Sequence, residues 1–227
     1  MKSYLRFLER NKLYTVIEVV GLSIALAFVI ILGAVLIDKS QVNDNIKDAD
    51  EIYSMTVNTD WIGSMSGTFS NMEEILPAIP QVTEWCQFYD ALQLSLKTEK
   101  NDSLLVTPMF VTSNYFAFFG FDLTSGSASE ALQANDCVVL SKKVADALFP
   151  NEDPIGKTVS LPVIDDMSAA FIVADISEKK EYTTYRVNGV IDGLGKCVLP
   201  EGDIYLKTGN NSMDVRSVCF EQTLLTT

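Results

Sequence analysis

The stretch from Phe149 to Val159 contains Gly156-Lys157-Thr158, the ending of a phosphate-binding loop. Such a loop needs Gly-x-x-x-x-Gly-Lys-Ser/Thr between a strand and a helix, so that backbone N–H groups can wrap the phosphates. Here Asn151 stands where the first glycine belongs, and Pro154 removes one N–H and fixes its φ angle. Thr158-Val159-Ser160-Leu161 then alternates like a strand. This pattern predicts a structural turn, with no nucleotide implied. The chain has no histidine, which removes Ser-His-Asp and Cys-His catalysis and most zinc sites. Ser141-Lys142-Lys143 misses the Ser-x-x-Lys spacing of penicillin-binding enzymes. Asp48-Ala49-Asp50 opens like a calcium loop, but Tyr53 occupies the position that requires glycine. Asp165-Asp166 has no identifiable partner acid. No catalytic, cofactor-binding or metal-binding residue is assigned, and the chain reads as a non-enzyme.

Cys86, Cys137, Cys197 and Cys219 are widely spaced, without a Cys-x-x-Cys pair. Disulfides and buried, hydrophobe-like thiols both remain open. The net charge of the 227 residues is −13, and the acidic excess lies after Asp38. A body this acidic repels phosphate backbones, which argues against nucleic-acid binding.

The elements that hold these residues begin with a membrane-length segment. Val19 to Ile37 carries no charge, and at about 1.5 Å per residue it reaches about 28 Å, the depth of a bilayer's hydrocarbon. A signal peptide cut after Ala25-Leu26-Ala27 is the rival reading, but apolar residues continue well beyond that triplet. Lys2, Arg6, Arg10 and Lys12 precede the segment, while Asp38, Asp44, Asp48 and Asp50 follow it. Positive-inside reasoning puts the N-terminus in the cytoplasm and the acidic body outside. Gly21 and Ala25, with Ser23 and Ala27, give the helix a small-residue stripe against which another helix can pack.

The expected division is residues 1–15 as a cytoplasmic or interfacial segment, 16–38 as the transmembrane helix, and 39–227 as an extracytoplasmic domain. That domain is one body or two lobes, with the later part β-rich. Residues 41–50 read as helical or irregular. A first strand is expected around Ile52, Met55 and Val57, and a helix capped by Ser70. Val82 to Thr98 reads as strand, with Leu92, Leu94 and Leu96 alternating against Gln93, Ser95 and Lys97 so that one face is buried, and returns through Leu104 to Val106 in a hairpin. Tyr115, Phe116, Phe118 and Phe119 fall on a short helix closed by Gly120 and are read as a core plug. Cys137 to Leu140 is a buried strand and Ser141 caps the next helix. Strands follow at Thr158 to Pro162, Phe171 to Ile176, Tyr185 to Ile191 and Ile204 to Lys207. The fold class is α+β: an N-terminal transmembrane helix followed by a mixed α+β extracytoplasmic domain.

Several stretches together resemble the N-terminal part of the MacB/FtsX-like ABC transporter permeases, with their MacB-like periplasmic core domain. Arg10-Asn11-Lys12 resembles the family's opening, and Ala49-Asp50-Glu51-Ile52-Tyr53 its first external strand. Val111-Thr112-Ser113-Asn114-Tyr115-Phe116 with Phe119, then Gly126 and Ala131-Leu132, resemble its next element. The most specific piece is Val138-Val139-Leu140-Ser141, Ala145, Leu148-Phe149 and Asp153-Pro154-Ile155-Gly156-Lys157-Thr158-Val159, followed by Val187-Asn188-Gly189-Val190-Ile191. Ser141, Ala145, Phe149, Pro154, Ile155 and Gly156 are its structural signature, with Pro154 setting φ, Ile155 anchoring the turn in the core and Gly156 supplying the reversal.

The resemblance implies a permease subunit, or its N-terminal part, in a bacterial inner membrane, with the main domain in the periplasm. A separate cytoplasmic ATPase would drive conformational change of that domain for efflux or extraction of a substrate. The implied partners are that ATPase, a second permease copy, membrane lipid, and a periplasmic adaptor or outer-membrane protein; no cofactor is implied. The family has three further membrane helices that this sequence does not contain, so it is expected to be a fragment or a shortened relative. The alternative is a membrane-anchored periplasmic binding or adaptor module without ATP coupling.

Overall fold

The computed structural model describes residues 12–59, 63–66, 75–91, 93–98, 103–162, 182–208 and 217–222. The chain divides into two compact units, Met1–Val42 and Asn43–Thr227.

The first unit is helix α1, Lys12–Ser40, which is longer at both ends than the expected 16–38. It is the one helix among the described residues long and apolar enough to cross a membrane. None of its residues is buried within the protein, and Leu, Ile, Val and Phe point outward on all sides. A helix apolar all round and covered by nothing suits a lipid or helical surround. Ser23 donates its hydroxyl to the Val19 carbonyl at 2.7 Å, so this polar group is satisfied within the helix.

In the second unit, strands are β1 (Ile52–Ser54), β2 (Thr56–Thr59), β3 (Gly63–Ser66), β4 (Val82–Asp90), β5 (Leu94–Thr98), β6 (Ser103–Val106) and β7 (Pro108–Val111). Helix α2 (Tyr115–Phe119), β8 (Cys137–Ser141), α3 (Lys142–Leu148), β9 (Thr158–Pro162), β10 (Tyr182–Ile191), β11 (Ile204–Lys207) and β12 (Ser217–Gln222) follow. Ten strands form one sheet in the order β1-β12-β4-β7-β11-β8-β10-β9-β5-β6, and β2 and β3 form a separate hairpin. The β8–β10 and β7–β11 pairs are parallel and the rest of the sheet is antiparallel. The fold class is therefore the expected one, a mixed α+β domain after an apolar helix.

Successive side chains on a strand point to opposite faces, and here both faces of the centre are buried. From β8, Val139 joins one core cluster while Val138 and Leu140 join the other; β11 splits in the same way, Tyr205 against Ile204 and Leu206. That explains why both strands are continuous apolar runs. The first cluster gathers α2 with Phe88, Met109, Val111 and Tyr205. The second gathers α3 with Leu96, Val106, Val159, Leu161 and Val187.

Two local expectations are corrected. The strand expected across Ile52, Met55 and Val57 is two strands, β1 in the large sheet and β2 in the hairpin. The strand-like run Val82 to Thr98 is also two, and its halves lie far apart in the sheet. Alternation reports which face is buried, not which strand is the neighbour. The β5–β6 hairpin forms as expected, with Leu94 opposite Val106 and Leu96 opposite Leu104. The Ser70-capped helix and the Phe171 to Ile176 strand lie outside the described residues.

All four rings of α2 are buried. The Tyr115 ring centre lies 5.7 Å from Phe88, 5.2 Å from Phe119 and 6.0 Å from Tyr205, inside the range of attractive aromatic pairing. The reading of α2 as a core plug holds. Burial pushes the Tyr115 and Tyr205 phenols well above their ordinary value of 10.0. A group whose folded pKa is raised adds stability that is complete below its unfolded pKa and is lost as pH climbs beyond it. Thermal melts should therefore show this contribution intact up to about pH 9, then a fall above about pH 10 of up to about 1.4 kcal/mol per pH unit and per tyrosine. Tyr115→Phe should make that alkaline fall shallower.

Candidate coupling joint and signature turn

The second unit opens with Asn43–Lys47, which is held to the rest of that unit. Asn43 and Asp48 both take positive φ, 73° and 50°, a conformation that short amide and carboxylate side chains tolerate best. The Asn43 amide donates to the Lys196 carbonyl at 2.8 Å, and the Asn43 side-chain oxygen accepts the Val198 N–H at 3.0 Å. Asn45 Nδ2 donates to the Leu194 carbonyl. The Lys47 N–H donates to the Phe119 carbonyl at 2.9 Å. Each such bond is worth roughly 0.5–1.5 kcal/mol net, so the set can hold Asn43–Lys47 closed.

Both acceptor regions are themselves fixed. The Leu194 N–H donates to Glu201 Oε1 at 3.0 Å, the Gly202 N–H to the Tyr205 hydroxyl at 3.3 Å, and the Thr107 N–H to Asp203 Oδ2 at 2.9 Å. Phe119 ends α2, whose last carbonyls need donors from outside the helix. Gly120 takes φ 73°, and a Cβ added there would stand 2.6 Å from Lys47 Cβ. Glycine is thus required there for its backbone angle and for the close approach of Lys47. Residues 41–50, helical or irregular by sequence, gave no hint of this joint. The pairing of Asn43 and Asn45 with a loop beginning near residue 194 leaves no local pattern.

The signature residues occupy the β8–α3–β9 corner. Ser141 Oγ accepts the Val144 N–H at 3.4 Å, capping α3 as expected. Ala145 is buried and Phe149 packs partly buried against the second core cluster. The Phe149 N–H donates to the Ala145 carbonyl at 2.9 Å. Gly156 takes φ 80°, and a Cβ added there would meet nothing within 4 Å, so its backbone angle is what the turn needs. Ile155 does not anchor the turn in the core; it is 37 % exposed. The anchors are instead backbone bonds to β10: the Gly156 N–H reaches the Val187 carbonyl and the Val187 N–H reaches the Lys157 carbonyl, both at 2.8 Å.

The same geometry settles the phosphate-loop question. The Ile155 N–H is taken by Asp153 Oδ1 at 3.0 Å and the Lys157 N–H by the Pro154 carbonyl at 3.1 Å. With the Gly156 N–H also engaged, the donors that would wrap a phosphate are committed to the protein, and Lys157 pairs with Glu152 at 2.8 Å. A strand follows where a phosphate loop requires a helix. Ser141 spends its hydroxyl as a cap, and Lys142 is held charged by Asp192 at 2.7 Å, which raises its pKa. A Ser–Lys catalytic pair has no support in this arrangement.

Removing either steric or polar support from the joint should loosen it. Gly120→Ala should lower stability by about 1–2 kcal/mol, from the left-handed backbone alone, and more if Lys47 is displaced. Asn45→Ala should cost about 1 kcal/mol. Denaturant melts of the domain check both; changes within error of zero would mean that Asn43–Lys47 is not held as described.

Comparison with known proteins agrees with this architecture. No curated protein matches the chain. A domain described as that of a permease from Porphyromonas gingivalis superposes with a TM-score of 0.55 at 15% identity, covering 80% of this chain and 79% of that one. The periplasmic region of MacB from Actinobacillus actinomycetemcomitans gives 0.52 at 16% identity, over 81% and 78%. At such identities the likeness shows the fold. The family model of the MacB-like periplasmic core domain matches residues 15–216. On that match over most of its length, the chain belongs to the MacB-like periplasmic core domain family.

Proposed function

We propose that this chain is a permease subunit, or the N-terminal part of one, in an ABC transporter whose ATPase is a separate cytoplasmic protein. In this reading α1 crosses the bacterial inner membrane with its N-terminus inside, and residues 39–227 form the external domain. Hydrolysis-driven movement of α1, in a pair of permease copies, displaces the external domain and so extracts or expels a substrate on the outer side. A periplasmic adaptor or outer-membrane protein would receive it there. The chain itself catalyses nothing.

The observation that carries this reading is the joint. Four hydrogen bonds fasten Asn43–Lys47, the start of the second unit, to the rest of that unit. Displacement delivered to Asn43 would therefore pass within that unit to the aromatic core. A rigid path of this kind is what rigid-body switching requires, and its two states must differ in contacts for ATP to bias them. Membership of the permease-domain family and the uncovered apolar surface of α1 support the same assignment.

Purification of the natural gene product from its own membranes in mild detergent tests the proposal. An ATP-hydrolysing partner should co-purify, and a flexible Gly-Ser insertion between Ser40 and Asn43 should leave that complex intact while abolishing transport-coupled changes in ATPase rate. Recovery of the protein without any ATPase would contradict the proposal.

A further inference from the structure

Strand β7 stops at Val111 and gives way to α2, while its antiparallel neighbour β4 runs on to Val82. On the other side, the parallel strand β11 reaches Lys207 opposite Val111. Two strands that flank a missing one stand about 9–10 Å apart, twice the interstrand spacing. The departure of β7 therefore leaves a slot at the carboxyl ends of a parallel pair, the place where open sheets commonly hold ligands. A cleft of about 550 Å³ opens there, and its lining includes Glu84, Trp85, Thr112, Ser113, Asn114 and Lys207. That volume falls within the range of small-molecule sites.

The turn after β7 closes the β4 edge that β7 leaves behind. The Thr112 N–H donates to the Gln87 carbonyl at 2.9 Å, and Thr112 Oγ1 accepts the Gln87 N–H at 3.3 Å. Asn114 Nδ2 donates to the Trp85 carbonyl at 3.0 Å. An extended peptide adding a strand here would have to displace these bonds. Side-chain groups remain for a ligand. Asn114 Nδ2 also donates to Glu84 Oε1 at 3.0 Å, which fixes the carboxylate beside the amide and leaves Glu84 Oε2 and Asn114 Oδ1 as acceptors. Lys207 Nζ donates to the Gln133 carbonyl at 2.9 Å, one of the three bonds an ammonium can give. Ser113 adds a hydroxyl that both donates and accepts, and Trp85 is half-buried in the same wall. The one carboxylate and the one ammonium leave this lining without net charge. A phosphate would meet the carboxylate and a cationic ligand would meet Lys207. A neutral ligand rich in hydroxyls meets acceptors, donors and an aromatic surface together.

We propose that this cleft binds a neutral saccharide. Glu84 and Asn114 accept from its hydroxyls, Ser113 and Lys207 bond its oxygens, and Trp85 covers its C–H surface. Sugar hydroxyls replace water almost evenly in an open polar cleft, so the affinity for a short saccharide lies in the millimolar range. The site lies wholly within the second unit and depends on neither the membrane placement nor the ATPase proposed above.

The test uses the full chain in a detergent without a sugar headgroup. Saturation-transfer NMR reads contact with cellotriose, maltotriose and tri-N-acetylchitotriose at millimolar concentration, with trialanine as the comparison probe. At least one saccharide should receive transfer, and trialanine should not. Glu84→Gln and Ser113→Ala should each weaken that binding by about three- to tenfold, and Ser113→Trp, which fills the cleft, should abolish it. Thermal midpoints identify the variants that fold. Lys142→Ala, beside the start of β11 and away from its end, should leave binding unchanged. Absence of transfer to all three saccharides overturns the proposal, as does binding that survives Ser113→Trp. If Ser113→Trp does not fold, wild-type binding in both Glu84→Gln and Ser113→Ala overturns it. Transfer to trialanine alone makes the cleft a peptide site and overturns the saccharide assignment.

Discussion

A backbone hydrogen bond from the Lys47 N–H to the Phe119 carbonyl ties the start of the domain to its packing centre. A helix always leaves its last carbonyls without partners of its own. The Phe119 carbonyl at the end of α2 takes its donor from the Lys47 N–H. Gly120 makes this approach possible, since any side chain there would collide with Lys47. The rings of α2 then spread the attachment across both long-range partners, Phe88 on β4 and Tyr205 on β11. Capping, close approach and aromatic packing are here one arrangement.

The central sheet gives that arrangement something stiff to hang from. Strands β8 and β11 are covered on both faces, so neither cluster can shift without disturbing the other. The signature turn secures the second face: α3 is capped by Ser141, and the reversal at Gly156 is bonded into β10 through Val187. No conspicuous chemistry-bearing group is needed for any of this. Two exposed lysines pair locally, Lys157 with Glu152 and Lys142 with Asp192, and exposed pairs of that kind contribute little to stability.

What the sequence made legible was local. Ser141 precedes an amphipathic run, Gly120 follows four rings, and Thr158 to Pro162 and Ile204 to Lys207 alternate or run apolar between turn residues; the structure has those elements at those bounds. The β5–β6 hairpin was legible because its partners are neighbours in the chain. The misreadings concern partners that are distant. Nothing in Val82 to Thr98 says that β4 and β5 belong to different parts of the sheet, and nothing near Ile155 says that backbone bonds to Val187 would replace its side chain as the anchor. The joint was hidden for the same reason. Asn43 and Asn45 are ordinary polar residues until Leu194, Lys196 and Val198 arrive beside them.

Transmission of movement into the domain requires a rigid joint, and native-state hydrogen exchange reads that rigidity amide by amide. The Asn43, Lys47 and Val198 amides should exchange about as slowly as those of β8 in the double-covered core, because a rigid joint opens only when the domain unfolds. Exchange of these three amides as fast as that of an unstructured linker, with β8 still protected, would contradict it.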